Sequence, residues 1–245
     1  MRKTVKGINP EAYIMGENWD NSYPWLMGDQ FDAVMNYELA YPIWNLLGTP
    51  GTVDEIYDAG QFQLAINQLL AGYPRNAIEV MYNLVDSHDT ARIAHVCGGN
   101  LDKVRLAYVL LLTFAGSPSI YYGSELGLPG DGQHNRAPYP WGNPPNLNLR
   151  GLVQQLIRLR GEHPSFKAIE IQWLHVDPRT NTLLFKKTAG TESLYVGINA
   201  SSQTQILPLS DDLARQPVMD LLRGECVESG EAIRLPPFGF SLWSG

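Results

Sequence analysis

The sequence is poor in the residues on which several classes of protein depend. It contains two cysteines, Cys97 and Cys226, which lie far apart and match no metal-binding or redox spacing, so two reduced or buried thiols are the simplest interpretation. Lysine and arginine number 18 against 25 aspartates and glutamates, and they form no cluster. The net charge of -7 and the pI of about 5.2 argue against nucleic-acid binding, because such surfaces need positive charge.

Long hydrophobic runs are lacking as well. The longest, Leu106 to Ala115, is interrupted by Tyr108 and Thr113 and falls well short of the about 20 apolar residues that span a bilayer. Residues 1–13 include basic side chains but no apolar core of a signal peptide. These features predict a soluble chain with no membrane partner, and they favour the cytoplasm. Hydrophobic residues make up 44% and charged residues 18%, which predicts a folded chain with a sizeable core.

Strand-like and helix-like segments alternate over the first two thirds of the sequence. Short apolar runs predict strands at 12–16, 31–37, 77–89 and 117–125. Longer segments with helical length or periodicity, ended by Gly or Pro, predict helices at 60–73, 101–116 and 147–164. This alternation is typical of parallel strands joined by crossover helices.

The pattern of residues along the sequence changes after about residue 166. Short β-branched or aromatic segments, separated by turn residues, predict a small antiparallel β-sandwich domain. We therefore expect two domains, residues 1–165 and residues 166–245. Between strand-like and helix-like segments, the loop 123–148 is long and rich in Gly, Pro and Asn, and loops of this length in a compact domain are usually functional.

Polar residues follow the predicted strands at the points where they end. Glu17 follows the first strand, Asn36 the second, and the sequence "DSHD" (86–89) the third. In parallel α/β barrels the loops at these strand ends form the active face, so we expect Glu17 and Asp89 to converge. Two carboxylates on either side of one bond are the equipment of glycoside hydrolysis. Aromatic residues suited to stacking on sugar rings follow the same strands: Trp19, Tyr23, Trp25, Tyr37, Tyr41, Trp44, Tyr139 and Trp141.

Each of these signals has a simpler interpretation when it is taken alone. Glu17 would be an ordinary surface carboxylate, and "DSHDT" (86–90) would be a turn with a helix N-cap, since Asp and Thr both cap well. Asp86 beside His88 could also suggest a metal site, but no His-Glu-x-x-His or comparable spacing supports one, so none is predicted. Together, the carboxylates and the aromatic residues favour a carbohydrate enzyme.

Four segments resemble the α-amylase superfamily. "AYIMGENW" (12–19) resembles its fifth-strand motif, and "NLVDSHDT" (83–90) resembles its seventh-strand motif. "PWLMGDQFDAVMNY" (24–37) is similar to the intervening region of the neopullulanase, cyclomaltodextrinase and maltogenic amylase subfamily, and "SPSIYYGSELGL" (117–128) resembles the eighth strand. The implied fold is the C-terminal half of a (β/α)8 TIM barrel, strands five to eight, followed by the small antiparallel β-sandwich domain.

The resemblance also implies roles for individual residues. Glu17 takes the place of the general acid/base, and Asp89 that of the carboxylate that stabilises the transition state. His88 takes the place of a histidine that contacts sugar hydroxyls, Trp19 that of an aromatic residue stacking on the leaving-group side, and Arg136 that of a substrate-binding arginine. The implied reaction is retaining hydrolysis of α-glucosidic bonds, with an α-glucan oligosaccharide such as maltodextrin, pullulan or cyclodextrin as the partner.

The sequence departs from the family in one major respect. The family's nucleophile is an Asp in a Gly-x-Arg-x-Asp pattern on the fourth strand, and this sequence has no such pattern. Residues 1–10 resemble the end of the helix that follows that strand. A complete barrel of this type needs about 250 residues. We therefore expect the chain alone to be inactive or nearly so, with the missing barrel half or a second copy as a partner.

Further expectations follow from the same comparison. No cofactor is evident, and any calcium site of the family is expected in the missing part. The eighth-strand motif usually reads Gly-Asp-Glu but is Gly123-Ser124-Glu125 here, and Asp131 stands five residues before Arg136 instead of four, so the resemblance does not extend to sugars bound further from the cut. The alternatives are a non-catalytic α-glucan-binding or assembly module and a truncated gene product.

Overall fold

The computed structural model describes residues 1–214, 217–228 and 230–245, and within them it has a parallel sheet, a large antiparallel sheet and a two-stranded antiparallel sheet. The parallel sheet consists of β1 (Met15–Gly16), β2 (Ala33–Asn36), β3 (Tyr82–Asn83) and β4 (Ser117–Pro118). These strands pair in chain order, all parallel, so that β1 and β4 form the two edges. The polar segments that follow these strands therefore begin at the same end of the sheet, the carboxyl end of the strands, as the sequence predicts.

Most of the helices precede, separate or follow the strands of this sheet along the chain. They are α1 (Arg2–Ile8), α2 (Tyr37–Leu47), α3 (Ala59–Gly72), α4 (Arg75–Ile78), α5 (Ile93–Val96), α6 (Leu101–Thr113), α7 (Leu147–Glu162) and α8 (Asp211–Ala214). Short 3-10 helices lie at Tyr23–Trp25, Ser124–Leu126, Gly132–Arg136 and Pro164–Lys167. Among the helices that the structure describes, none is long and apolar enough to cross a membrane.

The helices α3, α6 and α7 confirm the three predicted helical segments. Local signals explain their starts: Asp58 and Gln61 form a capping box at α3, and the Asn100 side chain accepts hydrogen bonds from the first backbone amides of α6. The predicted strands are correct in place but too long. Residues 77 and 78, the start of the strand predicted at 77–89, belong to α4 instead, and the eighth-strand segment keeps only two residues in the ladder before it turns at Gly123 (φ 80°).

Sequence reasoning did not predict α2. Asn36 ends β2 and at once caps α2, since its side chain accepts a hydrogen bond from Leu39 N at 3.2 Å. No turn residues separate the two elements, and Pro42 lies inside the helix, where proline normally interrupts one. Asn36 also donates to Asn83 Oδ1 at 2.8 Å, which ties β2 to β3. Asn36 thus has a structural role in the fold.

The C-terminal part is all β apart from α8. Its strands are β5 (Gln172–Asp177), β6 (Thr182–Ala189), β7 (Glu192–Asn199), β8 (Gln205–Pro208), β9 (Pro217–Asp220), β10 (Glu225–Glu228), β11 (Ala232–Leu235) and β12 (Phe240–Ser244). The large sheet has the order β10-β9-β12-β7-β6-β5, and β8 pairs with β11. A turn at Phe238 (φ 52°) separates β11 from β12.

The central strands β6 and β7 of the six-stranded sheet are buried on both faces. Alternate residues such as Leu183, Phe185 and Val196 join the core formed by the helices of the first part. Their neighbours along the strands, among them Leu184 and Tyr195, pack instead in a second core together with residues of β8 and β11. This alternation follows from the two-residue period of a strand, and it produces the sandwich that the sequence predicts.

Two buried cations lie where the helices meet this sheet. Arg160, on α7, donates to the carbonyl oxygens of Leu112 at 2.8 Å and Phe114 at 2.7 Å, and Lys187, on β6, donates to Phe166 O at 2.8 Å. Burial lowers the pKa of Arg160 to about 10 and lowers the pKa of Lys187 well below its usual value. Both side chains bind carbonyl groups near the end of α6 that would otherwise lack donors.

Candidate active site

The first functional segment begins where β1 ends. Gly16 is buried against Phe31, and a Cβ atom at this position would lie 2.5 Å from the Phe31 ring. A glycine is therefore needed for β1 to pack beside the residue that precedes β2. The next residue, Glu17, is exposed, so the chain passes from the buried Gly16 to a solvent-facing carboxylate in one step.

Tyr37, the first residue of α2, lies between the segments that follow β1 and β3. Its side chain is buried, and its hydroxyl donates to Glu17 Oε1 at 3.5 Å and lies 3.4 Å from Ser87 Oγ. Burial, together with the negative charges of Glu17 and Asp89, raises the pKa of Tyr37 to about 12. The indole of Trp19 stacks on the Tyr37 ring with centroids 3.8 Å apart. Tyr37 therefore connects Glu17 and Trp19 with the segment that carries Asp89.

The segment 86–90 is held by hydrogen bonds within the segment and by hydrogen bonds from Asn135. Thr90 Oγ1 accepts from Ser87 N at 2.8 Å, and Ser87 Oγ accepts from Asp89 N at 3.1 Å. Asn135, which is buried, donates to the carbonyl oxygens of His88 at 2.9 Å and Thr90 at 2.6 Å. This part of the chain is a fixed loop, which holds Asp89 in one place.

Asp89 lies in a small polar cluster with His88 and Arg136. His88 Nε2 is 3.1 Å from Asp89 Oδ2, and Arg136 Nη2 donates to Asp89 Oδ1 at 3.1 Å. Arg136 also donates through Nε to the His88 carbonyl oxygen at 3.2 Å. The Asp89 side chain is 35% exposed, so the cluster is open to a ligand. The structure thus places Arg136 beside Asp89, although the two residues are 47 positions apart and α5, α6 and β4 lie between them in the sequence.

The five residues singled out from the sequence therefore fall into two groups. Glu17 and Trp19 contact Tyr37, and His88, Asp89 and Arg136 form the polar cluster; within the residues described, the link between the groups runs through Tyr37 and Ser87. Sequence reasoning named Tyr37 only as one of several aromatics, and it missed Asn135. No sequence signal marks Asn135, because its role depends on carbonyl groups from a distant loop.

The aromatic residues are less concentrated than the sequence suggested. Trp44 donates to the Val85 carbonyl oxygen and is partly buried, and Trp25 lies near Phe31 instead of the cluster. Trp141 pairs with Tyr139 in the long loop and is 85% exposed. Of the eight aromatic residues named from the sequence, Trp19 and Tyr37 are the stacked pair that lies at Glu17.

Ser124, where the resemblance leads one to expect an Asp, is engaged with two buried charged groups. Its hydroxyl donates to Asp86 Oδ2 at 2.6 Å and accepts from Arg92 Nη1 at 3.1 Å. Asp86 also accepts from Ile93 N at 2.9 Å, so its side chain satisfies the first backbone amide of α5. This is the capping role that the simpler interpretation of "DSHDT" (86–90) gives to an Asp. Burial raises the pKa of Asp86 to about 6. These contacts anchor both ends of the loop that carries Asp89.

No metal site accompanies this cluster in the part of the chain that the structure describes. No group of three or more His, Cys, Asp or Glu side chains there could hold a metal ion. A pocket of about 310 Å³ lies next to the loop, lined by inward-facing side chains of the four parallel strands and their ends, including Met15, Met35, Tyr82 and Ser119. The arrangement offers two separated carboxylates, a stacking platform and an open cavity.

Comparison with known proteins gives consistent matches along the whole chain. Residues 1–218 match the model of the α-amylase catalytic domain. The chain is 37% identical over 249 residues to a cyclomaltodextrinase of Geobacillus thermopakistaniensis, covering 99% of this chain and 41% of the relative. It is 35% identical over 251 residues to neopullulanase 2 of Thermoactinomyces vulgaris, covering 100% of this chain and 42% of the relative.

Solved structures of similar proteins superpose well. The crystal structure of a debranching enzyme from Nostoc punctiforme matches with a TM-score of 0.88 at 34% identity, covering 100% of this chain and 54% of that one. A cyclomaltodextrinase structure matches with a TM-score of 0.88 at 33% identity, covering 99% of this chain and 42% of that one. The chain thus spans about half the length of the solved structures, or less, and 41% to 42% of these two curated relatives.

Proposed function

Because this chain belongs to the α-amylase family, a family of glycoside hydrolases with a TIM-barrel-containing fold and a β-rich domain, we propose that it carries part of the active site of a retaining α-glucan hydrolase. The observation that carries the proposal is the position of Tyr37. Glu17 and Asp89 come from different strand ends, yet the Tyr37 hydroxyl donates to Glu17 Oε1 at 3.5 Å and lies 3.4 Å from Ser87 Oγ, which accepts from Asp89 N. Two carboxylates at one cleft suit acid/base catalysis on a glycosidic bond.

We assign Glu17 as the general acid and base. As an acid it protonates the glycosidic oxygen, and as a base it later takes a proton from the attacking water. The Tyr37 hydroxyl, 3.5 Å from Glu17 Oε1, helps to orient the carboxyl group. Trp19 is stacked on Tyr37 by one face and is 38% exposed, so its other face can carry a sugar ring on the leaving-group side.

We assign Asp89 to the hydroxyl groups of the sugar at the site of cleavage. Ion pairing with Arg136 and the contact with His88 hold the carboxylate in one orientation, so that it can accept hydrogen bonds as the ring distorts in the transition state. The proposal assigns no step to a metal ion or cofactor. The covalent step needs a third carboxylate as nucleophile, which we place outside these residues.

We propose further that residues 1–165 form the second half of a TIM barrel, with the β domain beginning at residue 166. Four parallel strands in chain order, with β1 and β4 as edges, support this assignment. The pocket of about 310 Å³ beside their inward-facing side chains also supports it, because a complete barrel fills that space with side chains from eight strands. Four further strands would then supply the nucleophile and the remaining wall of the cleft.

The substrate class follows from the relatives. They are named for cyclomaltodextrins, pullulan and maltogenic hydrolysis, so we propose an α-glucan oligosaccharide as the ligand of the cleft. Two relatives from Bacillus subtilis, 31% and 30% identical, are named intracellular maltogenic amylases, and we propose the same location for this chain.

Calorimetry with maltotriose tests the cleft. We expect the chain to bind maltotriose, Trp19→Ala to weaken that binding, and Trp25→Ala, a tryptophan of similar exposure that lies near Phe31, to leave it unchanged. No release of reducing sugar is expected from the chain alone. Turnover abolished by Glu17→Gln would show that the nucleophile is present within these residues, and equal effects of both tryptophan variants would argue against the cleft.

A further inference from the structure

A second concave site lies beside the cleft. Between the segment after β1 and the helices α2 and α3 there is a groove of about 540 Å³, which we call the tyrosine groove after the four tyrosines that line it, Tyr23, Tyr41, Tyr57 and Tyr73. A volume of this size is in the range of small-molecule binding sites in proteins. The roles proposed above for the cleft use none of these side chains.

The groove adjoins the cleft through two short connections. Tyr41 follows Tyr37 by four residues of α2, a rise of about 6 Å, so it lies on the same face of the helix. Asn21, which also lines the groove, stands only two residues after Trp19. The groove is therefore a neighbour of the leaving-group side of the cleft but has its own lining.

The tyrosine groove combines exposed aromatic rings with polar groups whose hydrogen-bonding capacity is only partly used. Tyr23 is 43% exposed and Tyr41 is 37% exposed, so both rings are accessible for stacking. The buried Tyr73 hydroxyl accepts from Ser22 N at 2.9 Å and donates to Glu38 Oε2, which fixes the Glu38 carboxylate. Within the described residues nothing donates to the other Glu38 oxygen, and the Gln68 amide at the rim likewise has no hydrogen-bond partner.

The charge of the lining restricts the class of ligand. Glu38 is the one charged residue among the described residues that line the groove, and no lysine or arginine lines it. Phosphates and other anions are therefore poor ligands. A quaternary ammonium group, which aromatic cages bind, would occupy a small part of about 540 Å³. Aromatic faces with carboxylate, amide and hydroxyl groups between them suit an uncharged polyhydroxyl chain.

We propose that the tyrosine groove is a second binding site for a neutral oligosaccharide, which holds an α-glucan chain beside the cleft. The choice of an α-glucan rests on the proposed function, whereas the neutral, polyhydroxyl character of the ligand rests on the lining itself. Sugar rings stack on Tyr23 and Tyr41, and their hydroxyls donate to Glu38 and exchange hydrogen bonds with Gln68. The groove raises the local amount of substrate at the leaving-group side.

Maltotriose is the probe, and isothermal titration of the 245-residue chain is the measurement. We expect two binding events per chain. Gln68→Ala should weaken one of them roughly three- to tenfold, since it removes a hydrogen-bonding side chain. Gln63→Ala is the matched control, because it removes the same side chain from the same helix outside the lining. Tyr41→Ala should weaken the same event as Gln68→Ala, and Tyr41→Phe, which keeps the ring, should weaken it less.

The cleft variant Trp19→Ala separates this proposal from the proposed function. If Trp19→Ala removes one event and Gln68→Ala the other, both stand. If Gln68→Ala and Tyr41→Ala leave every event unchanged in chains that unfold at the wild-type temperature, the groove is not a sugar site while the cleft remains. If only the groove event occurs, the groove stands and the assignment of the cleft fails. Binding of choline, abolished by Tyr41→Ala and insensitive to maltotriose, would overturn the sugar assignment.

Discussion

The indole of Trp19 lies flat on the ring of Tyr37, with the two planes 8° from parallel. The same tyrosine reaches Glu17 and Ser87 through its hydroxyl, so one buried ring organises a stacking platform, a carboxylate and the loop that carries Asp89. Trp19 is 38% exposed, so its position depends on this stack, whereas Tyr37 is buried.

Substitutions at Tyr37 should separate the ring from the hydroxyl. Tyr37→Phe keeps the stack and loses two long hydrogen bonds, so we expect a loss of about 1 kcal/mol in the free energy of unfolding. Tyr37→Ala removes a buried ring and should cost about 3 to 5 kcal/mol. Urea unfolding measures both, and Trp19 fluorescence should shift only in Tyr37→Ala. An equal loss for the two variants would mean that the ring is not packed as described.

Asp86 should make stability depend on pH. Burial raises its pKa from the usual 3.8 to about 6. The folded state then holds the proton more tightly than the unfolded chain, so the contribution of Asp86 is present in full below about pH 4 and is lost as the pH rises through about 6. Asp86→Asn, which keeps an acceptor for Ile93 N, should remove this dependence.

The measurement is the difference in unfolding free energy between wild type and Asp86→Asn across this range. From about pH 4 to about pH 7 the wild type should lose about 2 to 3 kcal/mol relative to the variant. Asp102→Asn is the control, since Asp102 is an exposed carboxylate paired with Arg105, and its difference from wild type should change little. A constant difference for Asp86→Asn would contradict the buried environment described for this carboxyl group.

Arg160 should be far more important for stability than a neighbouring arginine on the same helix. Its guanidinium donates to carbonyl oxygens at the end of α6, and Arg160→Ala should cost about 3 to 5 kcal/mol because these buried acceptors lose their donors. Arg158→Ala is the control: Arg158 is exposed and pairs with Glu162 at 3.5 Å, so its loss should cost less than about 1 kcal/mol. Similar losses in thermal unfolding would rule out the buried network.

Gly16 should tolerate no side chain. A Cβ atom there would lie 2.5 Å from the ring of Phe31, so Gly16→Ala should destabilise the chain by about 1 to 3 kcal/mol. In a Phe31→Leu background the penalty should shrink, since the clash is with the ring. Gly7→Ala, in α1 with open space around it, should be neutral or slightly stabilising. The unfolding free energies of these variants and of the double variant provide the check.

The sequence predicts those parts of the fold that have local signals. The capping box at Asp58 and the cap at Asn100 mark α3 and α6, and the alternation of segments indicates parallel strands. The helix α2 escaped prediction because Asn36 serves as both strand end and cap, and because Pro42 hides the helical pattern. The strands proved short because only two to four residues of each apolar run enter the parallel ladder.

The candidate site likewise contains residues that the sequence predicts and residues that it does not. Glu17, Trp19, His88, Asp89 and Arg136 stand in short motifs and were named from them, and their catalytic roles stay predictions. The residues that position them were not visible in the sequence. Arg92 and Asn135 are polar residues whose burial and partners exist only once distant loops meet, so neither periodicity nor spacing could reveal them.

The burial of β6 and β7 on both faces has a consequence for how the chain unfolds. Leu183 on β6 and Val196 on β7 belong to the same core as the helices, while Leu184, which follows Leu183 on β6, belongs to the second core. Neither core can unfold without exposing one face of β6 and β7, because residues of these strands belong to both cores. Heating should therefore give a single cooperative transition, and the boundary seen in the sequence near residue 166 is not a place where the chain can be divided into two independently stable pieces.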